Sequence, residues 1–366
     1  MSSTVKPASS RLAFVDWTRG IAAFIMLQGH VFHSFTRPEL RDRGPYVLSQ
    51  FVGGIPPAVF LFLTGLTLAF RIDSAEKKGL PALQRVWWSM RRAGYLFGIA
   101  YLFRLQLWVF GLPDSPWTDL FRVDILNCMG LSVALISTMA VFRSKDRARL
   151  AAVLGLCIAA ASPLVSQFNW TGVPALVKHY LAPDYLFFGF FPWASFLAFG
   201  LSAGTVVRVL RADQMDRAMQ WTAILGFGLV FGGQYFSNVP YSVYTSADYW
   251  LNSPLLILVK LGVILLLLAF AYLWTQYAAG PGWSWVRQFG TTSLLVYWVH
   301  IELVYGRWLS FWKESLTEGQ VILAAAGVIL LMLGLSVART NWRQWREAGF
   351  SPFGYFYPAL RRASGD

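Results

Sequence analysis

Long apolar stretches recur along the chain, from its first residues almost to its last. A helix that crosses a bilayer needs roughly 20 consecutive, mostly apolar residues. Ten stretches approach this length, and they cover residues 12–36, 47–70, 86–110, 124–142, 150–166, 185–209, 219–236, 253–277, 288–311 and 320–338. Only 13% of the residues are charged, whereas soluble domains average about 25%. The sequence therefore predicts an all-α, polytopic membrane helix bundle over residues 12–338, between a short tail (1–11) and a basic tail (339–366).

The Lys and Arg residues are distributed unequally between the two sides of such a bundle. Loops and tails on the side of both termini hold 21 of the 31, the opposite loops hold seven, and three lie within spans. Cytoplasmic loops of membrane proteins carry the excess of basic residues. We therefore expect both termini in the cytoplasm. The net charge of +13 is read as this topology signal, and no nucleic acid is expected among the partners.

The first predicted span carries four polar groups, Asp16, Arg19, His30 and His33. Arg19 and His30 are 11 residues apart, which on an α-helix is three turns plus about 20°, or roughly 16 Å along the axis. Such a polar stripe should face the bundle interior or a water-filled cavity. In the expected topology the acid and the arginine lie near the cytoplasm and the histidines lie in the outer half. For Asp16 and Arg19 a structural ion pair at the start of the helix and a role in a ligand site are equally open.

Other ionisable residues fall within later spans, namely Arg104, Asp124, His300 and Glu302. A histidine can pass a proton near neutral pH, and the three charged residues could orient or tune it. A structural role is an open alternative, in which Arg104 and Asp124 are a charge pair that assembles the helices and the histidines are packing groups.

Several motifs of soluble enzymes do not occur in the sequence. There is no Gly-rich phosphate loop before a lysine, no H-E-x-x-H and no G-x-S-x-G. The two cysteines, Cys128 and Cys157, both lie in apolar segments. Neither a metal site nor a serine triad is predicted.

Several longer stretches resemble a known family. RLAFVDWTRGIAAFIMLQGH (residues 11–30) is similar to the opening helix of the transmembrane acyltransferase superfamily, with its D-x-x-R-G and a histidine 11 residues after the arginine. PPAVFLFLTGLTLAFR (Pro56–Arg71) resembles the second-helix segment of that superfamily. Three further stretches resemble the branch named for heparan-α-glucosaminide N-acetyltransferase and its bacterial relatives: VDILNCMGLS (Val123–Ser132), FFPWASFLAFGLSAG (Phe190–Gly204) and GTTSLLVYWVHIEL (Gly290–Leu303).

This resemblance implies an acyltransferase of a bacterial inner membrane. Such enzymes take an acyl group, usually acetyl, from cytosolic acyl-CoA and give it to an amine or hydroxyl of a carbohydrate or glycoconjugate across the membrane. Acetyl-CoA is then the donor substrate, and no metal is expected. The catalytic histidine of the family corresponds to His30 and its first-helix arginine to Arg19. Glu302, two residues after the family-like His300, is not part of the general pattern of the superfamily.

The residues suggest how donor and acceptor could meet. Coenzyme A is a polyanion and needs cations, and four arginines, Arg71, Arg85, Arg91 and Arg92, are expected around the cytoplasmic mouth. His30 would deprotonate the acceptor or carry the acyl group itself as an acyl-imidazole. Arg104 or another cation could stabilise the tetrahedral oxyanion. The residues do not choose between the two roles of the histidine.

A proton-coupled transporter of a small solute is the main alternative, because intramembrane acids and histidines often form proton relays. Against it, the sequence shows no inverted repeat and no pair of Gly/Pro-broken helices in matching halves. A scaffold protein without catalytic activity is a weaker alternative. So many polar side chains within a membrane cost free energy, which is unfavourable unless they serve a function.

Overall fold

The computed structural model describes residues 13–280 and 282–347. Within these residues the chain forms α-helices, short 3-10 segments and one π-helical turn, and no strand. The helices are α1 (Ala13–Phe35), α2 (Gly44–Gly53), α3 (Pro56–Lys77), α4 (Ala82–Phe110), α5 (Ile125–Ile136), α6 (Ser144–Gln167), α7 (Ala175–Leu181), α8 (Phe190–Val209), α9 (Met215–Ser237), α10 (Pro254–Leu273), α11 (Trp285–Thr291), α12 (Ser293–Tyr305) and α13 (Glu318–Glu347). The predicted all-α class is confirmed.

Seven helical segments of the described chain are long and apolar enough to cross a membrane. They contain α2 together with α3, then α4, α5, α6, α8, α10 and α13. The other three predicted spans correspond to α1, to α9 and to the pair α11–α12. These helices do not meet the criteria of length and hydropathy for a membrane span. α11 and α12 are short, at 7 and 13 residues, and α1 carries the polar stripe. A helical membrane bundle is thus supported, and the number of ten spans stays a prediction.

Two predicted spans differ in detail from the helices. The second predicted span, 47–70, lies within one apolar segment, Gly44–Lys77, but is divided between α2 and α3, because Pro56 and Pro57 begin a new helix and proline fits only the first turn of one. The last helix continues to Glu347, nine residues beyond the predicted end at 338, so the start of the predicted basic tail is helical. The predicted tail 1–11 and residues 348–366 lie outside the described residues.

The first helix occupies the centre of the bundle, where it contacts α2, α3, α10, α11, α12 and α13. Its closest approach is to α11, through one glycine on each helix. A carbon atom added to Gly20 would lie 1.9 Å from the Val286 carbonyl oxygen, and one added to Gly290 would lie 1.9 Å from that of Asp16. Small residues let membrane helices approach closely enough for dispersion forces to hold them. This contact fixes α1 beside the segment that leads into α12.

The close contact predicts a stability difference between two glycines. Gly290→Ala should destabilise the protein by about 1–3 kcal/mol, because the new methyl group must displace backbone atoms. Gly94→Ala, in α4 where nothing lies within 4 Å, should be neutral or slightly stabilising because alanine favours helix. Thermal unfolding of the two purified variants in the same detergent measures the difference. Equal midpoints would show that α1 and α11 are not in backbone contact.

Candidate active site

A cavity of about 590 Å³ opens beside the second half of α1. It is lined by residues of α1, α4, α5 and α12 and of the segments between them, including His30, His33, Arg104, Asp124 and Glu302. We call it the histidine cavity. Five polar side chains that the sequence singled out therefore surround one space, although they come from α1, α4, α12 and the residue that precedes α5.

His30 is hydrogen-bonded to His300 in this region, with 2.8 Å between His30 Nδ1 and His300 Nε2. His300 Nδ1 lies 2.7 Å from the Val296 carbonyl oxygen, which can only accept, so His300 carries its proton on Nδ1. When both rings are neutral, His300 Nε2 is an acceptor and His30 donates to it from Nδ1. The lone pair of His30 Nε2 is then free for chemistry in the cavity, while His300 is fully buried.

Contacts on both sides of His30 hold its helix in place. Gln50 Nε2 of α2 donates to the Gly29 carbonyl oxygen at 3.1 Å, one residue before His30. Ser34 Oγ donates to the Val304 carbonyl oxygen of α12 at 2.9 Å, one turn after it. The ring of Tyr305 packs edge-on against His30 with 5.4 Å between centroids. The imidazole is thus positioned by helices rather than by a loop, as a precise site requires.

Arg104 and Asp124 form an ion pair, with 3.0 Å between Arg104 Nε and Asp124 Oδ2. Asp124 also accepts hydrogen bonds from the backbone N–H groups of Leu126 and Asn127 and so caps α5. The structural alternative considered for this pair thus has a physical basis, because the carboxylate anchors a helix start. Both side chains nevertheless line the histidine cavity.

Glu302 lines the same cavity from α12 and is 7% exposed. Its Oε2 atom is buried and has no hydrogen-bond partner in the part of the chain that the structure describes. Gln106 and Trp308 are hydrogen-bonding neighbours of the same carboxyl group, so the group is partnered by the protein at one oxygen only.

A second cavity, of about 290 Å³, opens near the start of α1. Its lining includes Arg19, Arg71 and Arg92, together with Thr64 and Thr67, and we call it the arginine cavity. Arg19 is also paired with Asp16, at 3.3 Å between Arg19 Nη1 and Asp16 Oδ1. Three guanidinium groups around one cleft give it a strongly positive lining.

Only two of the four arginines predicted for the donor reach the arginine cavity. Arg71 and Arg92 line it, whereas Arg85 and Arg91 do not. Arg85 is buried and pairs with Glu76, at 3.3 Å between Arg85 Nη1 and Glu76 Oε2, a carboxylate that it shares with Arg147. Arg91 is exposed, as Arg92 is, but it is about 100° away from Arg92 around the helix axis. The rotation between successive residues of α4 therefore places Arg92, but not Arg91, in the lining of the arginine cavity.

Three residues, Phe60, Ile125 and Tyr297, line both cavities. They come from α3, α5 and α12 and form a mostly apolar wall between the two spaces, which we call the shared wall. None of the three stands out in the sequence as a site residue. Tyr297 is three residues before His300, one helical turn, and this spacing was the available signal. Phe60 and Ile125 have no signal that separates them from ordinary core residues.

The model of one protein family, the catalytic region of heparan-alpha-glucosaminide N-acetyltransferase, matches residues 11–240, well over half of the chain. No curated protein matches the chain. The matched segment holds His30, Arg19, Arg71, Arg92 and Arg104, and it ends before α10, so His300 and Glu302 lie beyond it. The chain belongs to the catalytic family of heparan-alpha-glucosaminide N-acetyltransferase, a family of transmembrane acetyltransferases.

Proposed function

We propose that this protein transfers an acetyl group from cytosolic acetyl-CoA, bound at the arginine cavity, to an amine or hydroxyl of a carbohydrate or glycoconjugate in the histidine cavity. One observation carries the proposal: two cavities meet at a shared wall beside α1, with guanidinium groups around one and an imidazole with a free lone pair in the other. Acyl transfer from a polyanionic donor needs both kinds of group, and one helix supplies Arg19 and His30.

The donor would bind through its phosphates to Arg71 and Arg92, because guanidinium groups pair with phosphate oxygens in two-pronged geometry. Arg19 lies on α1, roughly 16 Å along the axis from His30. The pantetheine arm would then run beside α1 towards the shared wall. Arg85 is engaged by Glu76 and is a weaker candidate for this contact than Arg92.

The histidine pair would carry the protons. When the acceptor attacks the thioester carbon, its proton moves to His30 Nε2, the C–S bond breaks, and the proton passes to the thiolate of coenzyme A. The hydrogen bond from His30 Nδ1 to His300 Nε2 would hold the ring in the tautomer that leaves Nε2 free and spread the positive charge that develops. In the other route, His30 Nε2 attacks the thioester first and the acceptor then takes the acetyl group from it.

Arg104 supplies a positive charge in the wall of the histidine cavity. Its Nε is engaged by Asp124, which leaves the two terminal nitrogens of the guanidinium as further donors. A donor of this kind would stabilise the oxyanion of the tetrahedral intermediate. At the rim of the cavity Tyr185 is exposed and donates to Asp248 Oδ2 at 2.7 Å. That hydrogen bond raises the pKa of Tyr185 to about 12, so its ring stays neutral and could stack on a sugar.

The activity is tested by release of coenzyme A. Purified protein should release the thiol from acetyl-CoA when an amino sugar or a glycoside is added, and much less without an acceptor. The transporter alternative predicts the opposite result, namely solute uptake into vesicles without consumption of acetyl-CoA. Either outcome separates the two classes of protein, because a transporter has no use for the donor.

The orientation of the protein is a separate prediction. The distribution of basic residues places the loop with Asp42 outside a bacterial inner membrane and the loop with Lys78 in the cytoplasm. In a Cys157→Ser background, Asp42→Cys should react with a membrane-impermeant thiol reagent in intact cells, and Lys78→Cys should react only after lysis. Both positions are exposed, and the other native thiol, Cys128, is buried. The reverse pattern would exchange the sides assigned to donor and acceptor.

A further inference from the structure

Tyr297 carries the polar side chain of the shared wall. Phe60 and Ile125 have hydrocarbon side chains only, whereas Tyr297 has a phenolic hydroxyl and lines both cavities. In the proposed reaction the thioester arrives from the arginine cavity and the acceptor from the histidine cavity. The carbon atom that changes partners must therefore lie where the two spaces meet. Tyr297 is the residue with a polar side chain that the described part of the chain places next to both spaces.

The ring of Tyr297 is held by aromatic neighbours from two helices. Its centroid lies 5.5 Å from that of Phe103 in α4. It also lies 5.9 Å from the ring centroid of His300, one turn later in α12, at an interplanar angle of 69°. His300 is buried and bonded to His30, so Tyr297 packs directly against the histidine pair. A ring that is fixed in this way also fixes the direction of its hydroxyl, as a preorganised donor requires.

The hydroxyl of Tyr297 is available to a ligand. It has no hydrogen-bond partner among the described residues, and it is not one of the unpartnered side-chain oxygens that the protein seals off from solvent. The hydroxyl therefore opens into the space that the residue lines. Two other tyrosines of the histidine cavity differ, because Tyr185 donates to Asp248 and the Tyr305 hydroxyl lies 3.2 Å from His33 Nδ1.

Arg104 leaves room for a second donor to the oxyanion. It lines the histidine cavity but not the arginine cavity, and its Nε is engaged by Asp124. The hydroxyl of a tyrosine keeps its proton near neutral pH and can donate it in a hydrogen bond. Such a bond is worth most where negative charge develops in a site that excludes water. Tyr297 meets this condition at the junction, on the side from which the thioester arrives.

We propose that Tyr297 is a catalytic residue, whose hydroxyl donates a hydrogen bond to the thioester oxygen as that oxygen becomes an oxyanion. The proposal rests on the acetyltransferase function stated above. When the acceptor, or His30 in the covalent route, bonds to the thioester carbon, an electron pair of the C=O bond moves onto the oxygen. The pair returns when the C–S bond breaks, and Tyr297 keeps its proton throughout. The role is the same in both routes, because both pass through an oxyanion.

Tyr297→Phe tests this role, because it removes the hydroxyl and keeps the ring and its packing. In the full-length protein, kcat should fall by about 10²–10³-fold, the usual cost of removing one oxyanion donor. The affinity for acetyl-CoA, measured by isothermal titration in detergent, should stay unchanged, since the contact strengthens only as charge develops. Tyr101→Phe is the matched control. It removes a hydroxyl that lies 2.9 Å from that of Tyr180 and lines neither cavity, so both quantities should be retained.

Infrared spectroscopy supplies a readout that needs no turnover. The carbonyl stretch of a thioester moves to lower wavenumber when its oxygen accepts a hydrogen bond. With acetyl-CoA isotopically labelled at the acetyl carbonyl, the band of the bound donor should lie lower in the unaltered protein and in Tyr101→Phe than in Tyr297→Phe. If Tyr297→Phe does not fold, the unaltered protein decides by itself. A bound band above that of acetyl-CoA in water would then show a carbonyl without a donor.

Full turnover by Tyr297→Phe, or a carbonyl band at the same position as in the unaltered protein, would overturn the proposal. A parallel loss of turnover and of acetyl-CoA binding would also do so, because it would indicate a structural role only. Release of coenzyme A is measured in the same preparations with an amino sugar and a glycoside as acceptors. A band shift without any such release would contradict the acetyltransferase function and leave the contact with the thioester standing, so the two failures are distinguishable.

Discussion

Replacing His30 with alanine should leave the binding of acetyl-CoA intact and reduce turnover by about 10²–10⁴-fold, the usual contribution of a positioned general base. The donor would bind at the arginine cavity, beyond the shared wall, so loss of the imidazole should not alter its affinity. His33→Ala is the matched control, because His33 lines the same cavity and its Nδ1 lies 3.2 Å from the Tyr305 hydroxyl rather than near His300. Steady-state kinetics with titrated acetyl-CoA would measure both effects.

The partner of His30 gives a second test of the same site. His300→Ala removes the ring nitrogen that accepts from His30 Nδ1 and supplies no other acceptor, so the imidazole of His30 is no longer held in one tautomer. We expect a loss of turnover larger than that of His33→Ala, with the affinity for acetyl-CoA unchanged. Mass spectrometry after incubation with acetyl-CoA alone would reveal acetyl on His30 if the covalent route operates. A folded His30→Ala protein with near-normal turnover would remove the histidine from the mechanism.

Arg92→Gln should raise the KM for acetyl-CoA by about ten- to hundredfold and change kcat much less. A contact with phosphate is made in both the ground state and the transition state, so its loss weakens uniform binding. A charge-assisted hydrogen bond contributes about 1.5–3 kcal/mol, which gives this range. Titration of acetyl-CoA at saturating acceptor separates KM from kcat.

Arg91→Gln is the control for Arg92→Gln, because it removes the same charge from the adjacent position of α4 without altering the arginine cavity. Its KM should stay within about threefold of the unaltered protein, since a charge outside the cavity lining acts on the donor only through a screened long-range field. If the two variants raise KM equally, the basic residues attract the donor through net charge alone, and the arginine cavity is not its binding site.

The sequence was sufficient for the helical class and for eight of the polar residues that line the two cavities, namely His30, His33, Arg104, Asp124, Glu302, Arg19, Arg71 and Arg92. Periodicity places Arg19 and His30 on one face of a helix, and a polar face in a membrane must meet a cavity or a partner. The close contact of His30 with His300 was not accessible in this way. The two residues are 270 positions apart, and their distance depends on how α1 and α12 pack.

The rotation of a helix about its axis was a second limit. Arg91 and Arg92 are adjacent in sequence and carry the same charge, so composition and topology treat them alike. Successive residues on a helix differ by 100°, and packing against the neighbouring helices decides which one faces the cleft. Arg85 shows another limit, because its burial against Glu76 depends on a contact between α3 and α4 that no local pattern contains.

The shared wall of Phe60, Ile125 and Tyr297 has a consequence for the electrical behaviour of the reaction. In the orientation proposed here, water in the two cavities would concentrate the membrane voltage across this thin layer, where moving one elementary charge through 100 mV involves about 2.3 kcal/mol. An acetyl group that passes outward and a hydrogen that returns on the thiol of coenzyme A are both neutral. The exchange therefore moves no net charge, and turnover should proceed at the same rate in energised and in depolarised vesicles.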